Sequence, residues 1–150
     1  MPKEQQLHEF YFNVAFGVAN LSKAKRLQVG AVVTKDGNII SIGYNGTPHG
    51  WSNNCETEDG ITVPEVIHAE MNCILKLAKG TQSSEGAILY VTHSPCFECA
   101  KNIAQSGIEE VHYVHEYRDT SPLEFLEEMG ISSYHHPEIK LGTGVINGKL

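Results

Sequence analysis

The stretch Ala87-Ile88-Leu89-Tyr90-Val91-Thr92-His93-Ser94-Pro95-Cys96-Phe97-Glu98-Cys99 decides how this chain is put together. Ala87 to Thr92 is a continuous apolar run, the pattern of a strand buried on both faces. Ser94-Pro95 then reads as a helix N-cap followed by proline at the first helical position, and Phe97, Ala100, Ile103 and Ala104 carry the helix to a stop at Gly107. Glu110 to His115 is the next short strand. Further on, Ser121-Pro122-Leu123-Glu124 has the Ser-x-x-Glu spacing of a capping box, with Leu123, Leu126 and Met129 leading to a stop at Gly130 and a last strand at Ile131 to Tyr134.

On the N-terminal side, Leu7, Phe10, Tyr11, Val14, Val18 and Leu21 recur at helical spacing and predict an amphipathic helix over Glu4 to Leu21. Val29 to Thr34 and Asn38 to Tyr44 are apolar-rich runs joined by Asp36-Gly37, a dipeptide suited to a two-residue hairpin turn. Gly46 to Pro64 is rich in turn-forming residues and reads as a long surface loop. From His68, the residues Met71, Ile74, Leu75 and Ala78 before Gly80 predict another helix. This order implies an α/β fold with a mixed five-stranded sheet covered by helices on both faces, a three-layer α/β/α arrangement with parallel crossovers in its second half. The length of 150 residues suits one domain over 1–150; the tail from Leu141 to Leu150 is weakly patterned, and its structure is left open.

With 41% hydrophobic and 19% charged residues and no long apolar run, the chain is expected to be globular and without a membrane span. Its polar N-terminus lacks the apolar centre of a signal peptide, so the expected compartment is the cytoplasm. A net charge of −7 argues against a protein that wraps long nucleic acid, although an acidic chain can still bind one nucleotide. Four cysteines in a cytosolic chain suit metal ligation or burial better than a disulfide scaffold.

Cys96 and Cys99 lie three apart at the start of a helix, so they share a face where the helix N-terminus and a metal both favour thiolates. His68 adds a nitrogen from the start of a different helix. Three protein ligands leave a fourth tetrahedral position for water, which separates a catalytic zinc site from a closed structural one. Glu70 follows His68 by two residues, a rotation of about 200° on a regular helix, so both reach one site only if His68 stands where backbone angles are not yet helical. Pro64 fits a helix start nearby. Glu70 is then a proton carrier and not a ligand. Cys73 is expected to be a small buried hydrophobe, and Cys55 a free or loosely buried thiol in the long loop.

His68-Ala69-Glu70 with Pro95-Cys96-Phe97-Glu98-Cys99 is the H-x-E and P-C-x-x-C signature of zinc deaminases. From about Asn20 to Tyr117 the chain resembles the cytidine and deoxycytidylate deaminase superfamily. The resemblance rests on Val29-Gly30-Ala31-Val32, Gly43-Tyr44-Asn45-Gly46 with Pro48, His68-Ala69-Glu70-Met71-Asn72 with Ile74, and Ser94 to Lys101. Gly-Tyr-Asn-Gly followed by Pro points to its deoxycytidylate branch. The resemblance implies a cytidine-deaminase-like fold and conversion of dCMP to dUMP plus ammonia, feeding thymidylate synthesis. Hydroxide activated at the zinc would attack C4 while Glu70 passes a proton to N3 and then to the departing ammonia. It further implies that the base carbonyl meets a backbone amide near Ala69, the exocyclic amine a carbonyl near Ser94, and the sugar 3′-hydroxyl Asn45. Tyr117 resembles a family tyrosine near the substrate.

A monophosphate needs a cation, and Ser22-Lys23-Ala24-Lys25-Arg26 concentrates three. Arg26 is the candidate, because the family places an arginine just before its Val-Gly strand and a guanidinium suits bidentate phosphate contact. Family resemblance also implies a homohexamer activated by dCTP and inhibited by dTTP, with Mg2+ accompanying the triphosphate near Gly43, Tyr44, Asn45 and Gly46. Asn45, beside both sites, is a plausible coupling residue. Some members hold a second, structural zinc in a longer insertion; here Cys55 is the sole cysteine between Gly46 and His68, so none is expected. His49, His93, His112, His115, His135 and His136 show no spacing for a second metal. The competing readings are a cytidine or tRNA adenosine deaminase with the same zinc site, and a non-catalytic zinc module that binds nucleotides.

Overall fold

A computed structural model describes residues 2–139; the tail 141–150 lies outside the described residues. The elements run α1 (Lys3–Ala19), β1 (Gly30–Lys35), β2 (Asn38–Tyr44), α2 (Ala69–Ala78), β3 (Ile88–His93), α3 (Phe97–Gln105), β4 (Glu110–His115), α4 (Ser121–Glu128) and β5 (Ser132–His135). Strand order in the sheet is β2-β1-β3-β4-β5. Strand β1 is antiparallel to both β2 and β3, whereas β3, β4 and β5 are parallel to one another. The mixed five-stranded sheet expected from the sequence is therefore present. Asp36 and Gly37 both take positive φ, 53° and 80°, as a tight hairpin between β1 and β2 demands.

Alternation along the central strands divides the core in two. Ala31, Val33, Leu89, Val91, Val111 and Tyr113 face the side covered by α2, α3 and α4. Val32, Tyr90 and Val114 face Tyr11, Phe12 and Ala15 of α1. The helices thus lie on both faces, which makes the three-layer α/β/α arrangement.

Several local expectations are corrected. In α1 the buried residues are Tyr11, Phe12, Ala15, Val18 and Ala19, whereas Phe10 and Leu21 of the predicted stripe are 52% and 56% exposed. Small residues stand beside Tyr11 and Phe12 on that face: a side chain at Gly30 would collide with the backbone of Ala15 and Ala19, so helix and strand approach closely there. In α2, Leu75 is likewise exposed and the buried positions are Ala69, Glu70, Cys73 and Leu77.

Ser94 is not the N-cap of α3. Its N–H donates to His115 O at 2.8 Å, extending the pairing of β3 with β4, and the cap falls two residues later at Cys96. Nor does Ser121 close a capping box. It is already helical, its N–H donating to Asp119 Oδ1 (3.0 Å), while the hydroxyl of Thr120 at the cap donates to Glu124 (3.2 Å). Among the described residues, no helix is long and apolar enough to cross a membrane.

Candidate active site

Antiparallel pairing of β1 with both neighbours brings the start of β1 and the ends of β2 and β3 to one edge of the sheet, and α2 and α3 begin at the same edge. The start of α2 is fixed by the residues after β2. Gly46 and Ile67 exchange backbone hydrogen bonds (3.0 and 2.8 Å), and Asn72 Nδ2 donates to Tyr44 O at 2.7 Å. Gly43 is the close-packing point. A Cβ there would lie 2.6 Å from Ala69 O and 2.9 Å from Cys73 N, so only glycine lets α2 lie this near β2.

His68 and Cys96 are the N-caps of α2 and α3, both with extended backbone (ψ 157° and 172°). This resolves the two-residue conflict, because His68 stands outside the helical spiral and Glu70 inside its first turn. His68 Nδ1 lies 3.3 Å from Cys99 Sγ and 3.5 Å from Cys96 Sγ. The three donor atoms fall within 4.8 Å of one another. A tetrahedral zinc with ordinary Zn–S and Zn–N bonds needs N···S edges of about 3.5 Å, so the donor set fits zinc in chemistry and in spacing. The contact between the cysteines and His68 holds the Cys96 thiol down to about 4, while Cys99, which keeps the shared proton and is buried, is pushed up.

Glu70, 4% exposed, is pushed up to about 7 by burial, with its own backbone amide and His68 pulling the other way. A carboxyl that can both hold and release a proton near neutrality suits general acid–base work.

One pocket of about 260 Å³ joins these groups to the rest of the sequence-derived set: His68, Glu70 and Cys96 line it together with Arg26, Asn45, Ala69, Ser94 and Tyr117. Cys99, the third member of the donor group, is buried. Ala69 N–H is among the amides that a helix start leaves without an intrahelical partner. Asn45 is already heavily used. Its Oδ1 accepts Val29 N–H and its Nδ2 donates to Leu27 O, both at 2.8 Å, leaving one hydrogen and one lone pair for a ligand. Tyr117 N–H donates to Ser94 Oγ (2.9 Å), its ring lies over His93, and burial raises its phenol to about 12.

Gly43 packs directly against α2. Tyr44 and Gly46 line a separate groove with Pro48, His49, Asn53 and Lys76. Besides apolar wall residues such as Leu27 and Val66, the pocket has lining residues that the sequence reading did not place in the site, among them His93, kept neutral by burial and by His115 at about 4, Glu56 and Thr62. No spacing rule marks any of them. Cys55 is a free thiol, as expected, and it is firmly buried.

Three protein donors with an adjacent buried carboxylate in a nucleotide-sized pocket define a catalytic zinc hydrolase site of the base-deaminase class. The model of the cytidine and deoxycytidylate deaminase zinc-binding region matches residues 5–115. The chain belongs to this family and is a hydrolytic deaminase. It is 35% identical to deoxycytidylate deaminase of Enterobacteria phage T4 over 85% of this chain and 89% of that one. It is 39% identical to the Homo sapiens deoxycytidylate deaminase over 75% and 67% of the two chains. A crystal structure of dCMP deaminase from cyanophage S-TIM5 in complex with dCMP and dUMP is 43% identical and superposes with a TM-score of 0.84, covering 91% of this chain and 99% of that one.

Proposed function

We propose that this chain converts dCMP and water to dUMP and ammonia. The observation that carries the reading is the single pocket in which Glu70 stands beside the His68-Cys96-Cys99 set while Arg26 lines the same cavity. A zinc ion held by His68 Nδ1 and the two sulfurs would supply Lewis acidity, making water nucleophilic near neutral pH. The Glu70 carboxylate accepts the proton that water sheds and delivers it to N3 of the base; it then takes the remaining proton of the hydroxyl bonded to C4 and hands it to the amine, which leaves as ammonia while the C4 carbonyl forms. Ala69 N–H donates to the base carbonyl, and the Ser94 carbonyl accepts from the exocyclic amine. The hydrogen left on Asn45 Nδ2 and the lone pair left on Oδ1 meet the 3′-hydroxyl, Tyr117 and His93 wall the cavity, and Arg26 binds the phosphate.

The relatives and the S-TIM5 complex support dCMP over the free nucleoside or a tRNA base. The product dUMP would feed thymidylate synthesis in the cytoplasm. We extend the reading to a homohexamer controlled by dCTP and dTTP, with Mg2+ bound alongside the triphosphate. Its support is the groove of Tyr44, Gly46, His49 and Lys76, whose Tyr44 and Gly46 flank the pocket residue Asn45 in the chain.

Ammonia release from dCMP, cytidine and a tRNA anticodon loop, each with and without dCTP or dTTP, tests the proposal. Dominant turnover of dCMP is expected; dominant turnover of either other substrate overturns it.

A further inference from the structure

Residues 55–63 fold back on themselves. Thr57 N–H donates to Ile61 O (2.7 Å) and Val63 N–H to Cys55 O (2.9 Å), so Glu56 and Thr62 pair across an antiparallel bridge. Both side chains reach one residue of the segment between α1 and β1. Glu56 Oε2 accepts the backbone N–H of Lys25 (2.8 Å) and of Arg26 (3.0 Å), and Thr62 Oγ1 accepts from the Arg26 guanidinium at Nη1 (3.4 Å). This small hairpin grips Arg26 twice, by its backbone and by its head group.

We propose that Glu56 and Thr62 are positioning residues for Arg26 and that their cradle sets the preference of the site for a phosphorylated nucleotide over the bare nucleoside. The proposal rests on the reading that Arg26 meets the phosphate.

Residues 23–29 belong to no helix or strand, so nothing in the sheet orders the amides of Lys25 and Arg26. A carboxylate that accepts two successive amides is a stronger tether than a neutral acceptor, and these amides hold Glu56 below the usual carboxylate range. Its other oxygen, Oε1, is buried without a protein partner among the described residues, a cost that a plain loop filler would avoid. The Thr62 contact is long and exposed, and guanidinium carries five N–H groups, so Arg26 can be aimed by the hydroxyl and still offer a fork to phosphate. Holding a long side chain ready before binding reduces the ordering cost when the ligand arrives.

Steady-state kinetics of the zinc-loaded full chain on dCMP and on deoxycytidine test this, using wild type and the variants R26A, E56A, E56Q, T62A and the double variant R26A/E56A. E56A is expected to lower the ratio of kcat/KM for dCMP to that for deoxycytidine by about tenfold, mainly through KM. E56Q, which keeps an acceptor, should restore much of the ratio, and T62A should lower it by a smaller factor. In the R26A background, adding E56A should leave the ratio where R26A alone puts it. Should E56A not fold, E56Q and T62A carry the test, and a ratio equal to wild type in both overturns the proposal. A ratio unchanged in E56A while R26A lowers it also overturns the cradle and leaves the phosphate role of Arg26 standing. A ratio unchanged in R26A overturns that role, and the cradle with it.

Discussion

Glu70 sits at the second position of α2, where a helix N-terminus favours the carboxylate and burial opposes it; burial prevails and holds the group at about 7. Glu70→Gln keeps the size and loses the proton. Because Glu70 is not one of the three donors, the variant should retain a full complement of zinc by metal analysis. Ammonia release should fall by about 10²- to 10⁴-fold, the range for removing a general acid–base group. Undiminished turnover would refute its role. His68, Glu70, Cys96 and Cys99 were legible in the sequence because their chemistry is written in spacings of two and three residues. Glu56 and Thr62 were not, because they act on Arg26 from 30 and 36 positions away, and Glu56 does so through backbone amides that no side-chain pattern encodes.

At the scale of elements, β4 carries His112 into the layer beneath α1. It stacks between Tyr90 and Tyr134, each 4.7 Å away, and shares hydrogen bonds with His136 Nε2 (2.9 Å) and Glu110 Oε1 (3.0 Å). Burial, with His8 and His136 nearby, holds it down to about 3. The folded chain therefore keeps His112 neutral while the unfolded chain protonates it near pH 6.5, so its stabilisation is fully present above that pH and is lost as pH falls toward 3, by up to about 1.4 kcal/mol per unit. His112→Phe retains the stack and removes the titration. Its Tm should fall less steeply than wild type between pH 7 and pH 5; equal slopes would remove His112 from the acid response. Strands and helix stops were readable because Asp36-Gly37, Gly107 and Gly130 punctuate the chain with positive φ. In α1 the expected Tyr11 and Val18 are buried beside Phe12, but close approach to the sheet also puts Ala15 and Ala19 on that face, as it puts Ala69 on the buried face of α2, positions that a search for large apolar residues passes over.

Across the whole molecule, the donor set ties the start of α2 to the start of α3, so metal held there stabilises the packing of both against the sheet. Stripping zinc with a chelator should abolish turnover and lower Tm by on the order of 10 °C, with both restored by added zinc. An unchanged Tm would mean that the helix starts are held without it. The pocket draws on segments from Ala24 to Tyr117, gathered by a strand that runs against both its neighbours. This has a consequence during synthesis. A nascent chain that ends before Cys96 holds one metal donor of three, and the wall formed by Tyr117 is still unmade when β1, β2 and α2 are complete. The three donors and the pocket walls can therefore come together only after the second half of the polypeptide has been made.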